Sequence, residues 1–304
     1  MRCECGRSVQ LLAEGGSADK VAVADLTAQA KEQEGGRRAL TLAKVKELRA
    51  EIEAGDAMTR ALGQSRKSLL DTLEAALSMT SPEALLAMPR DALADFVLQA
   101  GFGLTLDDFL VQSDRVAAAA LEAVQVLEPG ATTANIQGQL DVFRVAAVDN
   151  VFQDVIIPDT TSAVRSALQG MTLGVPLRAS MGRLSAQLER SEGRQITELR
   201  TQIASYGRQV TAKVGEAAGL DLYLYTGPRD GITRRFCKQL IDKVVDEAQM
   251  ARLNNGQGLP VKLSGGGYNC RHSWSPVSQG FVDAANLTRA TAADISKANA
   301  GAGT

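Results

Sequence analysis

The chain has 304 residues, 45% of them hydrophobic but only 4% aromatic, with 33 basic and 35 acidic side chains for a net charge of -2. That length allows one large domain or two ordinary ones, with a core built from Ala, Leu and Val, and the near-neutral balance gives no global drive toward nucleic acid. No apolar run reaches the roughly 18 to 20 residues needed to cross a bilayer, so no membrane partner is expected.

The opening MRCECGRSVQ lacks the apolar stretch of a secretory signal. Four cysteines without a patterned spacing do not make a disulfide scaffold, so a reducing, cytoplasmic site of synthesis is expected. Cys3 and Cys5 alternate and would share one side of a short strand. Ser17 is placed to cap a helix that runs to Gly35-Gly36. Val45, Leu48 and Ile52, then Leu62, Leu69, Leu70, Leu73 and Leu77, predict two helices with one buried stripe each.

Ser81-Pro82 opens a short helix, and Pro89 interrupts before a segment that reaches Ala100. Thr105 is placed to cap a helix over 106–127. Its run Val116–Leu121 is apolar nearly all round, which predicts burial. After the Glu128-Pro129-Gly130 turn, Thr132 or Thr133 caps a helix to about Ile156. Another helix starts at Pro158 and stops near Gly170 or Gly174.

From Leu177 to about Ala218 the chain lacks proline and predicts one long helix, ~60 Å at about 1.5 Å per residue. Met181, Leu184 and Leu188, then Ile196, Leu199, Ile203, Tyr206 and Val210, follow seam spacing, with a register slip over Glu189 to Gln195. Leu220, Leu222 and Leu224 then alternate with Asp221, Tyr223 and Tyr225, which is strand spacing. Asp230 is placed to cap a helix ending at Leu240 or Ile241. Short strands are expected at Val261–Leu263 and Tyr268–Val277, separated by the Gly265-Gly266-Gly267 turn. The expected architecture is mainly α: a helical domain over 1–176, a connecting helix over 177–219, a small α+β module over 220–282, and a C-terminal helix and tail over 283–304.

Charge is unevenly spread. Residues 91–160 carry eleven acidic side chains against two basic ones, whereas 229–271 carry eight basic against four acidic. Complementary patches of this kind could steer subunits together head to tail, but two simply solvated surfaces are the favoured reading.

The chemistry-bearing residues gather in 223–277. It holds the single His272, the single Trp274, and Cys237 and Cys270. Cys237, Cys270 and His272 are a candidate zinc set, with Cys3 or Cys5 as a fourth ligand, although the usual paired zinc signature is absent. A Cys237–Cys270 disulfide and a packed, hydrogen-bonded structural pair are the alternatives, and the structural pair is favoured. A thiol enzyme would need His272 to serve Cys270, Cys237 or a serine; the spacing does not demand this, and no catalysis is expected. Gly265-Gly266-Gly267 lacks the Lys-Ser or Lys-Thr of a phosphate loop. Arg229, Arg234, Arg235 and Arg271 are candidate phosphate contacts, with Tyr223, Tyr225, Tyr268 or Trp274 as stacking surfaces.

Three blocks in order carry a family resemblance: TGPRDGITRRFC at Thr226–Cys237, NNGQGLPV at Asn254–Val261 and GGYNCRHSWSPV at Gly266–Val277. They resemble the C-terminal region of phage minor head proteins of the Mu F-like, head morphogenesis class. The resemblance covers about 55 residues and leaves the helical residues 1–218 outside it. It implies a framework of Asp230, Thr233, Arg234, Cys237, Asn269, Cys270, Arg271, His272 and Trp274. The chain departs from the more metal-like members in placing His272 where a second cysteine would stand.

It further implies a structural component of a tailed bacteriophage virion, made in the host cytoplasm and associated with the portal vertex. Partners would be portal, capsid or neck proteins, further copies of the chain in a symmetric assembly, and packaged DNA. A neck or adaptor subunit between portal and tail is the alternative in that class. A metal- or thiol-dependent enzyme using Cys237, Cys270 and His272 is the alternative outside it.

Overall fold

A computed structural model describes residues 15–302. The chain is mainly α, with a small four-stranded sheet confined to its C-terminal part. Two compact units are assembled from interleaved stretches. One takes the chain up to Glu53, Ser113–Phe143 and everything from Ile203; the other takes Ala54–Gln112 and Arg144–Gln202.

The helices are α1 (Gly15–Lys31), α2 (Gly35–Met79), α3 (Pro82–Leu86), α4 (Arg90–Val97), α5 (Gly103–Gln125), α6 (Gln137–Val148), α7 (Ile157–Thr172) and α8 (Leu177–Ala217). Then follow β1 (Leu222–Thr226), α9 (Arg235–Leu240), β2 (Lys243–Asp246), α10 (Glu247–Met250), α11 (Val261–Ser264), β3 (Ser273–Val277), α12 (Gln279–Ala284), β4 (Thr288–Arg289) and α13 (Ala292–Ala300).

The second unit is helical throughout. Its core includes Leu69, Leu73, Leu93, Phe109, Phe152, Val164 and Leu188, and the Phe109 and Phe152 rings meet edge to face at 5.9 Å. The two expected helices before Thr80 are one continuous helix, α2. Gly55 lies in it without breaking it, and a Cβ there would sit 3.0 Å from Arg200 Cγ, so the missing side chain admits the arginine stem. Ser81 caps α3 as expected, accepting from Ala84 N at 3.2 Å.

Leu98–Phe102 kinks at Gly101, whose φ of +134° is not helical, so the segment breaks just after Ala100 as expected; a second irregular stretch, the wide π-helical Asp149–Ile156, was not legible in the pattern. The second runs straight into α7, so Pro158 does not end the helix there. A proline clashes with the carbonyl four residues back in a regular α-helix, and a wider turn just before it relieves that clash. Thr105 is likewise inside α5 rather than at its cap, its hydroxyl 2.6 Å from the Ser65 hydroxyl.

In the first unit, α1 buries Ala22 and Leu26 against Val45 and Leu48 of α2. Helix α1 begins at Gly15, ahead of the expected cap at Ser17. Helices α5, α6 and α8 close on Ala120, Val124, Leu140, Tyr206, Val210 and Val214. A Cβ at Gly207 of α8 would lie 2.6 Å from Val116 Cγ1, so the glycine lets α8 approach α5 closely. Within the Val116–Leu121 run, Val116 and Ala120 are buried but Ala118 is exposed. An exposed alanine costs little, so apolarity all round did not require burial all round.

Helix α8 has nearly its expected bounds. The register slip does not occur, because Gln195, only 3% exposed, occupies the seam between Leu188 and Leu199. Reading the seam by apolarity alone skipped over a buried polar residue.

The sheet order is β3-β1-β2-β4, with β1 antiparallel to both neighbours and β4 parallel to β2. Alternation along β1 sends Leu222 and Leu224 to one face, against Leu40, Val244, Val277 and Val282. It sends Tyr223 and Tyr225 to the other, against Phe236, Cys237, Leu240, Trp274, Ile295 and Ala298. Pro276 is tolerated because β3 is an edge strand, and its ring fits where a Cβ on Gly215 of α8 would come within 2.3 Å.

Three local expectations fail in this module. Val261–Leu263 begins the helical turn α11, Tyr268–His272 precedes β3 as a turn followed by irregular chain, and Asp230 does not cap α9, whose N-cap position is Arg234. Gly267 at φ +106° and Asn269 at φ +54° hold left-handed backbone that no strand could contain.

Candidate functional site

The three sequence blocks converge on one buried node under β1 and β3. Asp230 begins its loop as an Asx turn, accepting from Ile232 N at 3.2 Å with the Thr233 hydroxyl at 3.0 Å. That hydroxyl also lies 2.8 Å from the Pro228 carbonyl. Arg271 closes the loop from outside, its guanidinium fork meeting both Asp230 oxygens at 2.6 and 2.9 Å. Burial works to raise the Asp230 carboxyl, but the Arg271 hydrogen bonds and charge, with Thr233 and the Ile232 N–H, hold it below its ordinary range.

Arg234 donates to the carbonyls of Gly266 at 2.9 Å and Tyr268 at 2.6 Å, which ties the first block to the glycine turn. The middle block binds the same turn. The buried Asn255 amide donates to Leu259 O at 3.0 Å and Gly265 O at 3.2 Å, and Gln257 Oε1 accepts from Tyr268 N at 2.7 Å. Trp274 lies in β3 and donates through its indole N–H to Val261 O at 3.1 Å. From α8, the buried Arg208 donates to the carbonyls of Leu263, at 3.2 Å, and Cys270.

Inside this frame stand Cys237, Cys270 and His272, at 1%, 7% and 3% exposure, with ligand atoms all within 4.8 Å of one another. The two sulfurs are 3.8 Å apart, and Cys270 Sγ is 3.7 Å from His272 Nδ1. The hydroxyl of Tyr225, a fully buried β1 residue, is 3.3 Å from Cys237 Sγ and 3.7 Å from Cys270 Sγ. The Tyr225 ring stacks on His272 at 5.5 Å and leans on Trp274 at 4.3 Å.

Glycines close the node. A Cβ on Gly266 would lie 2.5 Å from Cys237 Sγ, one on Gly265 2.9 Å from the Tyr225 hydroxyl, and one on Gly227 2.2 Å from His272 Cδ2. Side chains are excluded at all three positions if the cluster is to keep its packing.

The two thiols share a hydrogen bond. The hydrogen bond to Cys270 and then burial push the Cys237 thiol up, so it keeps its proton. The hydrogen bond from Cys237, with the neighbouring His272 and Arg208 acting against burial, brings Cys270 well below the ordinary thiol range. Burial, followed by the two neighbouring sulfurs, raises the Tyr225 phenol well above its ordinary value. Chemically, the node offers two sulfur donors, an imidazole nitrogen and a phenol oxygen in one buried cluster.

The candidate phosphate contacts are spread around this frame. Arg229 pairs with Asp242, Arg271 with Asp230, and Arg234 with the two carbonyls, while Arg235 is the first residue of α9. Of the candidate stacking rings, Tyr223, Tyr225 and Trp274 are buried and Tyr268 is 42% exposed. Cys3 and Cys5 lie outside the described residues. Residue-type reasoning missed Tyr225 as a member of the node, and it missed Arg208, Asn255 and Gln257. The even spacing of Tyr223 and Tyr225 was the available signal for a shared face with the cysteines.

No protein-family model, curated protein or solved structure matches this chain. No described helix is long and apolar enough to cross a membrane.

Proposed function

We propose that the chain is a structural component of a tailed-phage particle, a minor head protein associated with the portal vertex, in which the C-terminal module is a docking head. The observation that carries this reading is how the resembling blocks use their polar residues. Asp230, Arg234 and Arg271, with Asn255 and Gln257, bond each other or the module's own backbone, as a framework does. Catalytic polar groups are instead aimed at an open cleft, where a substrate can reach them.

The long helices α2 and α8 offer extended surface for repeated subunit contacts. Val142 and Val145, one turn apart on α6, are 65% and 60% exposed. The test is to tag the chain in an infected or induced host, purify particles and reconstruct them. Symmetric copies at the portal vertex are the expected result. A stable monomer absent from purified particles sinks the reading.

A further inference from the structure

We propose that Cys237, Cys270 and His272 bind a divalent ion of the zinc class, with the Tyr225 hydroxyl at the fourth vertex, as an internal brace of the C-terminal module. This goes beyond the virion reading and does not depend on it.

The donor separations fit a tetrahedral ion. Tetrahedral zinc with sulfur at about 2.3 Å and imidazole nitrogen at about 2.0 to 2.1 Å sets sulfur–sulfur edges near 3.8 Å and sulfur–nitrogen edges near 3.6 Å. The observed separations are 3.8 Å for the sulfurs and 3.7 Å for Cys270 Sγ to His272 Nδ1. With oxygen at about 2.0 to 2.2 Å, the sulfur–oxygen edge is about 3.5 to 3.7 Å. The Tyr225 hydroxyl stands 3.3 and 3.7 Å from the two sulfurs, close to that range.

The imidazole is also oriented for ligation. His272 Nε2 lies 2.8 Å from the Pro228 carbonyl, which can only accept, so Nε2 carries the proton. The lone pair is thereby fixed on Nδ1, facing Cys270. A backbone carbonyl on the far ring nitrogen is the usual outer support of a metal-bound histidine. The Gly266 N–H points at Cys270 Sγ at 3.1 Å, the arrangement that steadies a coordinated thiolate.

Charge and connectivity support the same site. Two thiolates cancel the charge of a divalent ion, so the loaded site is neutral and its burial strands no net charge. The donors come from β1, α9, the turn before β3 and the approach to β3 itself. A single ion would therefore join the three sequence blocks and the central strand, in a module whose regular elements are only two to nine residues long after β1 begins.

The experiment uses the full chain, purified anaerobically with reductant from zinc-supplemented cells. The expected result is one zinc per chain by mass spectrometry. Replacement by cobalt should give tetrahedral visible bands with sulfur-to-cobalt charge transfer. Cys237→Ser and Cys270→Ser should each remove about half of the charge-transfer intensity. Tyr225→Phe should keep that intensity, change the visible bands, and weaken cobalt binding about 10- to 100-fold, the range seen when an ordering group is lost. A Cys3→Ser, Cys5→Ser double variant should match wild type.

If the serine variants fail to fold, the wild-type protein is compared before and after chelation, and the loaded form should unfold at a clearly higher temperature. Folded, reduced protein that takes up neither zinc nor cobalt overturns the proposal. So does an unfolding midpoint unchanged by chelation. Loss of metal in the Cys3, Cys5 variant, or a Tyr225→Phe spectrum identical to wild type, overturns the fourth vertex.

Discussion

Asp230 and Arg271, 41 residues apart, meet in a two-pronged ion pair at 2.6 and 2.9 Å with 7% and 14% of their side-chain surfaces exposed. The pair staples the loop after β1 to the residue just before His272, and Arg271 also reaches the Ala18 carbonyl of α1 at 3.2 Å. Removing one partner leaves the other charge desolvated and alone. Arg271→Ala is expected to lower stability by about 2–4 kcal/mol. Arg271→Lys should recover less than half of this, because an ammonium cannot reproduce the fork. Urea unfolding of both variants and of Asp230→Asn, combined in a double-mutant cycle, checks it; a coupling near zero would mean the pair contributes nothing.

Much of this architecture is legible in the sequence because period is a local property. The three-and-four spacing of α8 and the alternation of Leu220, Leu222 and Leu224 each encode an element without reference to the rest of the chain. The gathering of Cys237, Cys270, His272 and Trp274 into one region also survives folding, since the three blocks meet at one node. What escapes is whatever depends on a neighbour. Lys243–Asp246 is a strand because β1 supplies its partner at Leu222↔Asp246 and Leu224↔Val244. Val261–Leu263 has the branched composition of a strand but turns helically, with its Val261 carbonyl accepting from Trp274. Tyr225 and Arg208 join the site from β1 and α8, and no spacing rule links residue 208 to residue 270.

The three glycines over the node give a steric prediction. Gly227→Ala and Gly266→Ala place a methyl 2.2 Å from His272 Cδ2 and 2.5 Å from Cys237 Sγ, distances no packed carbon keeps. Each is expected to cost about 1–3 kcal/mol through forced displacement of the cluster. Gly182→Ala in α8 is the counterpart: a Cβ there meets nothing within 4 Å, and helix propensity should raise stability by about 0.5–1 kcal/mol. Thermal unfolding of the three variants measured side by side decides it, and equal losses at all three positions would contradict the steric account.

The C-terminal helix supplies a capping prediction. Thr291 accepts from Asp294 N at 3.2 Å, and Asp294 in turn accepts from Thr291 N at 2.9 Å and pairs with Lys243 of β2. The Lys243 contact, then the Thr291 N–H and hydroxyl, hold the Asp294 carboxyl down to about 2. Its contribution is thus present above the ordinary carboxylate range near 4 and is lost as pH falls toward 2. Thr291→Ala should cost about 1 kcal/mol. Asp294→Asn should cost no more than about 1 kcal/mol at pH 7, since the pair is partly solvated, and progressively less as pH falls through about 2. Hydrogen exchange of the Ala292–Ala300 amides reports both, and unchanged protection in Thr291→Ala would remove the cap from the account.

Glu51 carries the opposite sign. Burial, with Glu47 and the Cys270 sulfur adding to it against the Arg208 and Lys44 charges, lifts its carboxyl to about 7 from an ordinary 4.5. Its surroundings are the cleft lined by Leu26, Lys44, Glu47, Arg208 and Arg271. Between pH 4.5 and 7 the folded chain holds a proton that the unfolded chain has released, so raising pH across that window works against folding. The loss is complete above about pH 7 and amounts to about 1–3 kcal/mol. Glu51→Gln fixes the neutral form: it should leave stability nearly unchanged at pH 5 and exceed wild type by that amount at pH 8. Urea unfolding across the window tests this. Parallel pH curves for the two proteins would show that Glu51 ionises in the folded state without penalty, with the Arg208 and Lys44 charges outweighing its burial.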